Sequence, residues 1–266
     1  RSGALHGDPL VLPETPWRVE LAESAQVLVA STAAYADQQL QETLWIADLE
    51  AARWREQRPV TAGPVHRLVV DPLGRFVVAA PRTLRPELMV DRMLPISAQA
   101  PDCKLEAAEP ASTPAQVVID PGGRWLWSLH LQPGRKLNLR GYTLSDCKRR
   151  VDLLHEGAGN APEARATGEH LFVQGLALDA LSIFGHDGSE RRVPTLAAVN
   201  LVKAFAVSRD GRLLAQASRD AIQLFELPGG ARLSASLAAP IPGNDGIGAL
   251  VFAADGRRLL ARTVQG

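Results

Sequence analysis

The chain has 266 residues, of which 46% are hydrophobic and 22% charged, a composition typical of a packed globular protein rather than a disordered one. Its 29 Lys and Arg residues equal its 29 Asp and Glu residues, which excludes a global electrostatic field that would attract nucleic acid or an anionic membrane. No stretch approaches the roughly 20 apolar residues that cross a bilayer, so membrane insertion is not predicted.

The first predicted elements are short apolar runs separated by polar turns. Leu10, Val11 and Leu12 indicate a strand over residues 5–14. Val19–Leu21 and Val27–Ala30 flank Glu23 and Ser24, which predicts a β-hairpin, and Thr43–Leu49 follows as a third β-prone run.

A glycine-centred hairpin then recurs along the chain. Four segments of strand, tight turn and strand end at Ala79, Ser128, Ala215 and Ala261. In their turns, glycine supplies the positive φ that a tight turn needs, and a neighbouring aspartate bonds the backbone. The turn glycines are Gly74, Gly123, Gly211 and Gly256, at intervals of 49, 88 and 45 residues. Because 88 is twice 44, a further unit is predicted near residue 167, where Gly168 lies in a degenerate copy.

Six units with a mean spacing of about 46 residues predict an all-β chain, a β-propeller of about six four-stranded blades. A β-sandwich or two small β domains is the rival, but neither would repeat one hairpin at near-constant spacing. The chain is interpreted as one domain of a larger protein, and a seven-bladed parent is the alternative count. The predicted blades are residues 17–62, 63–112, 113–158, 159–199, 200–241 and 242–266, the last joined by the strand over 5–14.

One segment makes the comparison with a known family specific. Ser218 to Leu227, followed by Gly229 and Gly230, resembles the turn aspartate, third strand with an aromatic-acidic ending, and glycine turn of WD repeats. Trp45 to Asp48 is a looser copy. The Gly-His pair that opens many WD repeats is missing, so the resemblance is to an atypical member with degenerate repeats.

This resemblance implies that the loops joining second to third strands share one end of the fold. Three of these loops, Thr32–Glu42, Pro81–Pro86 and Gln132–Lys136, are longer than a hairpin turn requires. The guanidinium groups of arginine bind carboxylates and phosphates, and tyrosine adds rigid contact area, so these loops predict a surface for an acidic peptide or a partner domain. The alternative is that the loop charges are only solvated. The predicted partner-binding residues are Tyr35, Arg82, Arg85, Arg135, Lys136 and Arg219.

Cys103 and Cys147 are 44 residues apart, close to one repeat, so neighbouring repeats would bring them within disulfide range. A disulfide would imply an oxidising compartment such as the periplasm. Two free thiols in a cytoplasmic protein are the alternative, and the cytoplasm is slightly favoured. Trp125 and Trp127 alternate in a second strand and are predicted to pack in the core between blades.

Signatures of catalysis are weak. Ser145 and Lys148 match a Ser-x-x-Lys pattern, but that pattern needs a helix and here falls in a hairpin. The six histidines have no ligand-like spacing, so neither a metal nor a cofactor is predicted. We therefore predict a non-catalytic protein-interaction, sensor or scaffold module, bacterial by its arginine-rich coding bias. The alternative is a propeller enzyme, lactonase-like or another hydrolase, with a site in the central channel.

Overall fold

In the computed structural model the chain folds almost entirely into β-strands. The structure describes residues 10–12, 15–16, 18–22, 25–36, 39–60, 65–81, 92–98, 100–101, 103, 105, 113–156, 162–176, 180–194, 204–217, 221–233, 237–238, 247–253 and 255–263. Within these ranges, the strands form six sheets in which consecutive strands pair, except that the last strand of the fifth sheet pairs with the strand two before it.

The first three sheets span the first part of the chain. Sheet 1 contains β1 (Arg18–Ala22), β2 (Val27–Ala36), β3 (Gln39–Asp48) and β4 (Arg53–Val60). Sheet 2 contains β5 (Val65–Val70), β6 (Phe76–Pro81) and β7 (Arg92–Pro95). Sheet 3 contains β8 (Thr113–Ile119), β9 (Trp125–Gln132), β10 (Lys136–Thr143) and β11 (Arg149–Glu156).

The other three sheets follow the same order. Sheet 4 contains β12 (Glu163–Ala166), β13 (His170–Gln174), β14 (Ala180–Gly185) and β15 (Glu190–Pro194). Sheet 5 contains β16 (Ala204–Val207), β17 (Leu213–Ala217), β18 (Ala221–Glu226), β19 (Ala231–Arg232) and β20 (Leu237–Ala238). Sheet 6 contains β21 (Ile247–Phe252) and β22 (Leu259–Thr263).

The predicted glycine hairpin is present in sheets 2, 3, 5 and 6 with one shared geometry. A four-residue turn joins the first strand to the second, and the glycine amide N–H donates to the carbonyl of the residue before the turn, as from Gly74 to Asp71 at 2.8 Å. All four turn glycines have φ between 63° and 73°, the left-handed region that costs L side chains energy. The recurring glycine is therefore a requirement of the backbone.

The hairpin of one sheet packs against the turn of the next. Asp71 is fully buried, and its carboxylate accepts hydrogen bonds from Arg75 Nε at 2.7 Å and Nη2 at 3.0 Å. The same Nη2 donates to the carbonyl oxygen of Gly123, in the sheet 3 turn, at 2.6 Å. A Cβ on Gly123 would approach both Arg75 Nη2 and Asp71 Oδ1 to 2.7 Å, and a Cβ on Gly74 would approach the Cβ of Ala25 to 2.5 Å. These turns touch because their glycines have no side chain.

The described chain divides into two compact units, Arg1–Pro133 with Tyr142–Lys148, and Gly134–Gly141 with Arg149–Gly266. Apolar residues on facing strands form the core of each unit. In the first unit, one cluster joins sheets 1 and 2 around Val29 and Val77, and another contains Phe76 and Leu126. In the second unit, one cluster joins sheets 4 and 5 around Phe172, and another joins sheets 5 and 6 around Leu250.

Two connections predicted as long loops are shorter. Most of Thr32–Glu42 is strand, because β2 and β3 pair in continuous register from Val27 opposite Asp48 to Ala36 opposite Gln39. The connection between β9 and β10 is only residues 133–135. The predicted N-terminal strand over 5–14 lies mostly outside the described residues; at residues 10–12 the backbone is not a strand, and the Val11 carbonyl accepts a hydrogen bond from Trp54 Nε1 at 2.9 Å.

Candidate functional site

The hairpin of sheet 4 departs from the shared geometry, and this departure shapes the site. The Thr167 amide N–H donates to the His170 carbonyl at 2.9 Å, so the turn contains two residues, Gly168 and Glu169, instead of four. It has neither the aspartate nor the arginine that link the turns of sheets 2 and 3. A Cβ on Gly211, in the next turn, would come no closer than 3.6 Å to Thr167, an ordinary contact distance. The short hairpin therefore leaves room in front of the sheet 5 turn.

A cleft of about 530 Å³ opens at this place between sheets 4 and 5, within the second unit. Phe172, Ile183 and Leu227, all at most 5% exposed, belong to the core cluster of these two sheets and form the apolar floor. Thr167 lies at the sheet 4 edge of the cleft, where its hydroxyl accepts the amide N–H of His170 at 3.2 Å. The cleft thus has an apolar base and a polar opening.

The opening carries charges of both signs. Its ionisable residues are Glu169, His170, Arg191, Asp210, Arg212 and Glu226. Ser208 Oγ donates to the Asp210 carboxylate at 2.6 Å, and this bond, followed by one from the Arg212 amide N–H, lowers the pKa of Asp210. The lowered pKa favours the ionised form of Asp210, and both hydrogen bonds to its carboxylate come from residues of its own turn.

A second aspartate lies close to the cleft. Asp187, in the turn between β14 and β15, accepts bonds from the Ser189 hydroxyl at 2.6 Å and the Ser189 amide N–H at 2.9 Å. These two bonds lower the pKa of Asp187, and the charge of nearby His170 acts in the same direction. Ser189 lines the cleft, and its hydroxyl is held within the turn by Asp187.

The cleft lies at the end of the sheets opposite to the predicted binding loops. It is bordered by turns that join first to second and third to fourth strands, whereas the predicted surface uses the connections of second to third strands. One sequence signal does mark the cleft. Residues 167–170 lack the Gly-Arg pair that the hairpins of sheets 2, 3, 5 and 6 share, and the turn here is two residues shorter than theirs.

Of the six predicted binding residues, the structure describes the side chains of two. Lys136 Nζ lies 2.9 Å from Glu156 Oε1 across neighbouring strands, and this hydrogen bond lowers the pKa of Glu156. Arg135 has φ of 61° in the short turn before β10. Tyr35 lies on β2 opposite Leu40, and its side chain is outside the described residues. Arg82, Arg85 and Arg219 are also outside them.

The cysteines and tryptophans lie in the first unit. Cys103 and Cys147 are joined by a disulfide whose Cα atoms are 5.1 Å apart, which links the connection before β8 to the turn between β10 and β11. Trp127 is fully buried and stacks on half-buried Trp125 with ring centroids 5.7 Å apart, so the predicted core role of Trp127 is confirmed.

Metal-ligating clusters and bilayer-spanning helices are both absent from the described residues. No cluster of three or more His, Cys, Asp or Glu side chains is placed so that it could ligate a metal ion. No helix there has the length and apolar character of a bilayer span.

Comparison with known proteins gives similarity of structure alone. No protein-family model and no curated protein sequence matches the chain. Among solved structures, it is similar to Kuenenia stuttgartiensis hydrazine synthase, with a TM-score of 0.66 and 11% identity over 95% of this chain and 81% of that one. It is also similar to Kluyveromyces marxianus Hsv2, with a TM-score of 0.64 and 11% identity over 93% and 72%.

A third similar structure is the β-propeller domain of Myceliophthora thermophila Cps50 (Swd1), with a TM-score of 0.57 and 14% identity over 97% of this chain and 95% of that one. The fold is a β-propeller. The six sheets are its blades, so the predicted fold class is confirmed. The similarity to WD-repeat structures is one of fold only. Sequence identities of 11% and 14% are too low to indicate a shared function.

Proposed function

We propose that this propeller is a non-catalytic interaction module that binds a peptide segment of a protein partner in the cleft between blades 4 and 5. The observation that carries the proposal is the combination of an apolar floor with a polar, charged opening. Binding sites for peptides usually bury an apolar anchor and fix its orientation with a few polar groups around it. Since one fold hosts many functions, the proposal depends on this cleft and not on the fold.

The volume of the cleft is large enough for a side chain but not for a whole domain. A volume of about 530 Å³ accommodates one large apolar side chain and its neighbours. An extended segment with one leucine, isoleucine or phenylalanine anchor is the expected ligand.

The test is selection from a phage-displayed library of random dodecapeptides. Ser189 is exposed at the cleft, so Ser189→Trp would fill it, whereas Ser145→Trp places the same side chain in the corresponding turn of blade 3. We expect peptides with a shared apolar residue to be enriched, and Ser189→Trp to weaken their binding about tenfold, as expected for loss of one buried anchor. Ser145→Trp should leave binding unchanged. Absence of any shared residue, or equal effects of the two variants, would refute the proposal.

The predicted loop surface is a second proposed contact for the same partner. Arg82, Arg85 and Arg219 would bind its acidic groups, with Tyr35, Arg135 and Lys136 beside them. The supporting observation is that Lys136 starts β10 at this end of blade 3 with its side chain 40% exposed. Charge reversal of Arg82 and Arg85 should weaken capture of a selected partner, and unchanged capture would refute this second contact.

We also propose that the blades are divergent WD-type repeats. In blade 5, Phe225 and Glu226 end the third strand, and the Gly230 amide N–H donates to the Glu226 carbonyl at 2.7 Å with Gly230 at φ 76°. This geometry supports the aromatic-acidic ending and glycine turn that the sequence suggested. The rival function, a propeller enzyme, predicts tightly bound metal in the purified protein, which elemental analysis would detect.

A further inference from the structure

The second strand of blade 6, β22, is exposed where its counterparts are covered. Within the described residues, sheet 6 contains β21 and β22 alone, whereas every other blade adds a third strand beside its second. The second strands β9, β13 and β17 of blades 3, 4 and 5 are buried along their centres. In β22 the three central residues are exposed. Across the part of the chain that the structure describes, no strand lies on the outer edge of β22.

The backbone of β22 presents hydrogen-bonding groups along this edge. The Ala253 amide N–H donates to the Arg258 carbonyl at 2.8 Å and closes the hairpin, and from there bonded and non-bonded residue pairs alternate along the two strands. Leu259 and Ala261 fall on non-bonded pairs, so their N–H and C=O groups point away from β21. These two donors and two acceptors can pair with a further antiparallel strand.

Three other blades show how a strand lies on this edge. The carbonyl of the arginine after the turn glycine accepts an amide N–H from the end of the third strand. The bonds run from Ile96 to Arg75 at 2.8 Å, from Leu144 to Arg124 at 2.8 Å and from Leu227 to Arg212 at 2.7 Å. Arg257 has the same place in blade 6, and among the described residues nothing donates to its carbonyl. The pairing in blade 5 therefore gives the register of a strand added to blade 6.

Exposed apolar side chains lie on both faces of this edge. On the face toward blade 5, Leu259 packs against the core cluster of blades 5 and 6, as does Leu224. Leu233, whose amide N–H donates to the Leu224 carbonyl, is 49% exposed on blade 5. On the other face, Val251 and Leu260 lie directly opposite each other and are 58% and 67% exposed. A strand with apolar side chains on both faces would bury these groups.

The charges of the edge favour a different protein over a second copy of this chain. From Ala253 to the last residue the sequence has three arginines, Arg257, Arg258 and Arg262, and one acid, Asp255. Arg258 lies 3.3 Å from Asp255 and is 78% exposed. A second β22 would bring the same excess of positive charge across the edge. Like charges opposite each other destabilise a strand pair, whereas acidic side chains there would stabilise it.

We infer that the edge of β22 binds an extended segment of a partner protein as an added antiparallel strand. In blade 5, Glu226 lies opposite Leu213, and Arg258 has the place of Leu213 in blade 6. The added strand therefore has acidic residues opposite Arg258 and Arg262 and three apolar residues opposite 259–261. Main-chain hydrogen bonds supply affinity in this kind of recognition, and the side chains supply specificity. The site is separate from the cleft between blades 4 and 5, so the inference does not rest on the proposed function.

The experiment measures binding of a fluorescent peptide with the core Glu-Val-Leu-Phe-Glu to the 266-residue chain by anisotropy. In the inferred register the valine N–H donates to the Ala261 carbonyl, whereas the leucine N–H points away from β22. N-methylation of the valine should weaken binding about tenfold through loss of that bond, and N-methylation of the leucine should have little effect. A peptide with lysine at both acidic positions should bind about fivefold more weakly because its charges oppose those of the edge.

Protein variants and amide hydrogen exchange locate the site. Arg258→Glu should abolish the preference for the acidic peptide, whereas Arg150→Glu, the same charge change on the exposed outer strand of blade 3, should preserve it. The amides of Leu259 and Ala261 should exchange quickly in the free protein and slowly with peptide bound. No peptide binding, or equal weakening by the two N-methylations, would overturn the inference. Slow exchange of these amides in the free monomer would show that the chain covers its own edge. A dimer that protects them would assign the edge to a second copy, and either result would also overturn it.

Discussion

The turn glycines allow a direct test of why the cleft exists. Gly74, Gly211 and Gly256 share φ values of 67°, 73° and 67°, so replacement by alanine costs each position about 1–2 kcal/mol of left-handed strain. Only at Gly74 would the new Cβ also collide, at 2.5 Å from the Cβ of Ala25. At Gly211 the nearest atom is 3.6 Å away, and at Gly256 no atom lies within 4 Å.

We therefore expect Gly211→Ala and Gly256→Ala to lower the free energy of unfolding by about 1–2 kcal/mol. Gly74→Ala should add the overpacking penalty of about 1–3 kcal/mol, for a total of about 2–5 kcal/mol. Urea unfolding followed by tryptophan fluorescence measures these differences, provided that the slope with denaturant stays constant. Equal destabilisation at Gly74 and Gly211 would contradict the argument that the short hairpin of blade 4 leaves its neighbour's turn uncovered.

Three other predictions concern the turns and the disulfide. Reducing the disulfide between Cys103 and Cys147, which closes a loop with a sequence separation of 44, should lower the free energy of unfolding by about 4 kcal/mol according to the loop-entropy relation. Equal urea midpoints with and without reductant would contradict this prediction. So would two reactive thiols in protein that is unfolded without reductant. Arg75→Gln leaves the buried Asp71 carboxylate without its ionic partner and should destabilise by about 3 kcal/mol, measured against a control at an exposed turn arginine. The lowered pKa of Asp210 means that its ionised form stabilises the fold above the ordinary aspartate pKa and that this stability is lost as the pH falls through the lowered value; unfolding curves of Asp210→Asn should therefore depend less on acid pH than those of the unchanged protein.

Much of the fold was predictable because the hairpin is a local structure. The glycine in each four-residue turn is fixed by its own φ, and the flanking apolar runs are fixed by their neighbours in the chain. Spacing alone predicted the hairpin near residue 167, where β12 and β13 pair. The lengths of β2 and β3 were not predictable in the same way, because polar residues such as Gln39 and Gln41 pair across the hairpin through backbone hydrogen bonds that do not depend on side-chain polarity.

The candidate cleft shows what the sequence alone did not predict. A basic residue such as Lys136 signals an available charge in the sequence, yet the fold places Glu156 2.9 Å away across the strands. Glu169 and Glu226 are 57 residues apart and carry no motif, and only the packing of blades 4 and 5 brings both to one cleft. Turn conformation is a property of a few consecutive residues, so the sequence by itself determined the repeated hairpins. Which turns touch, and which leave a gap, depends on distances between separate sheets, so only the tertiary structure decided the cleft.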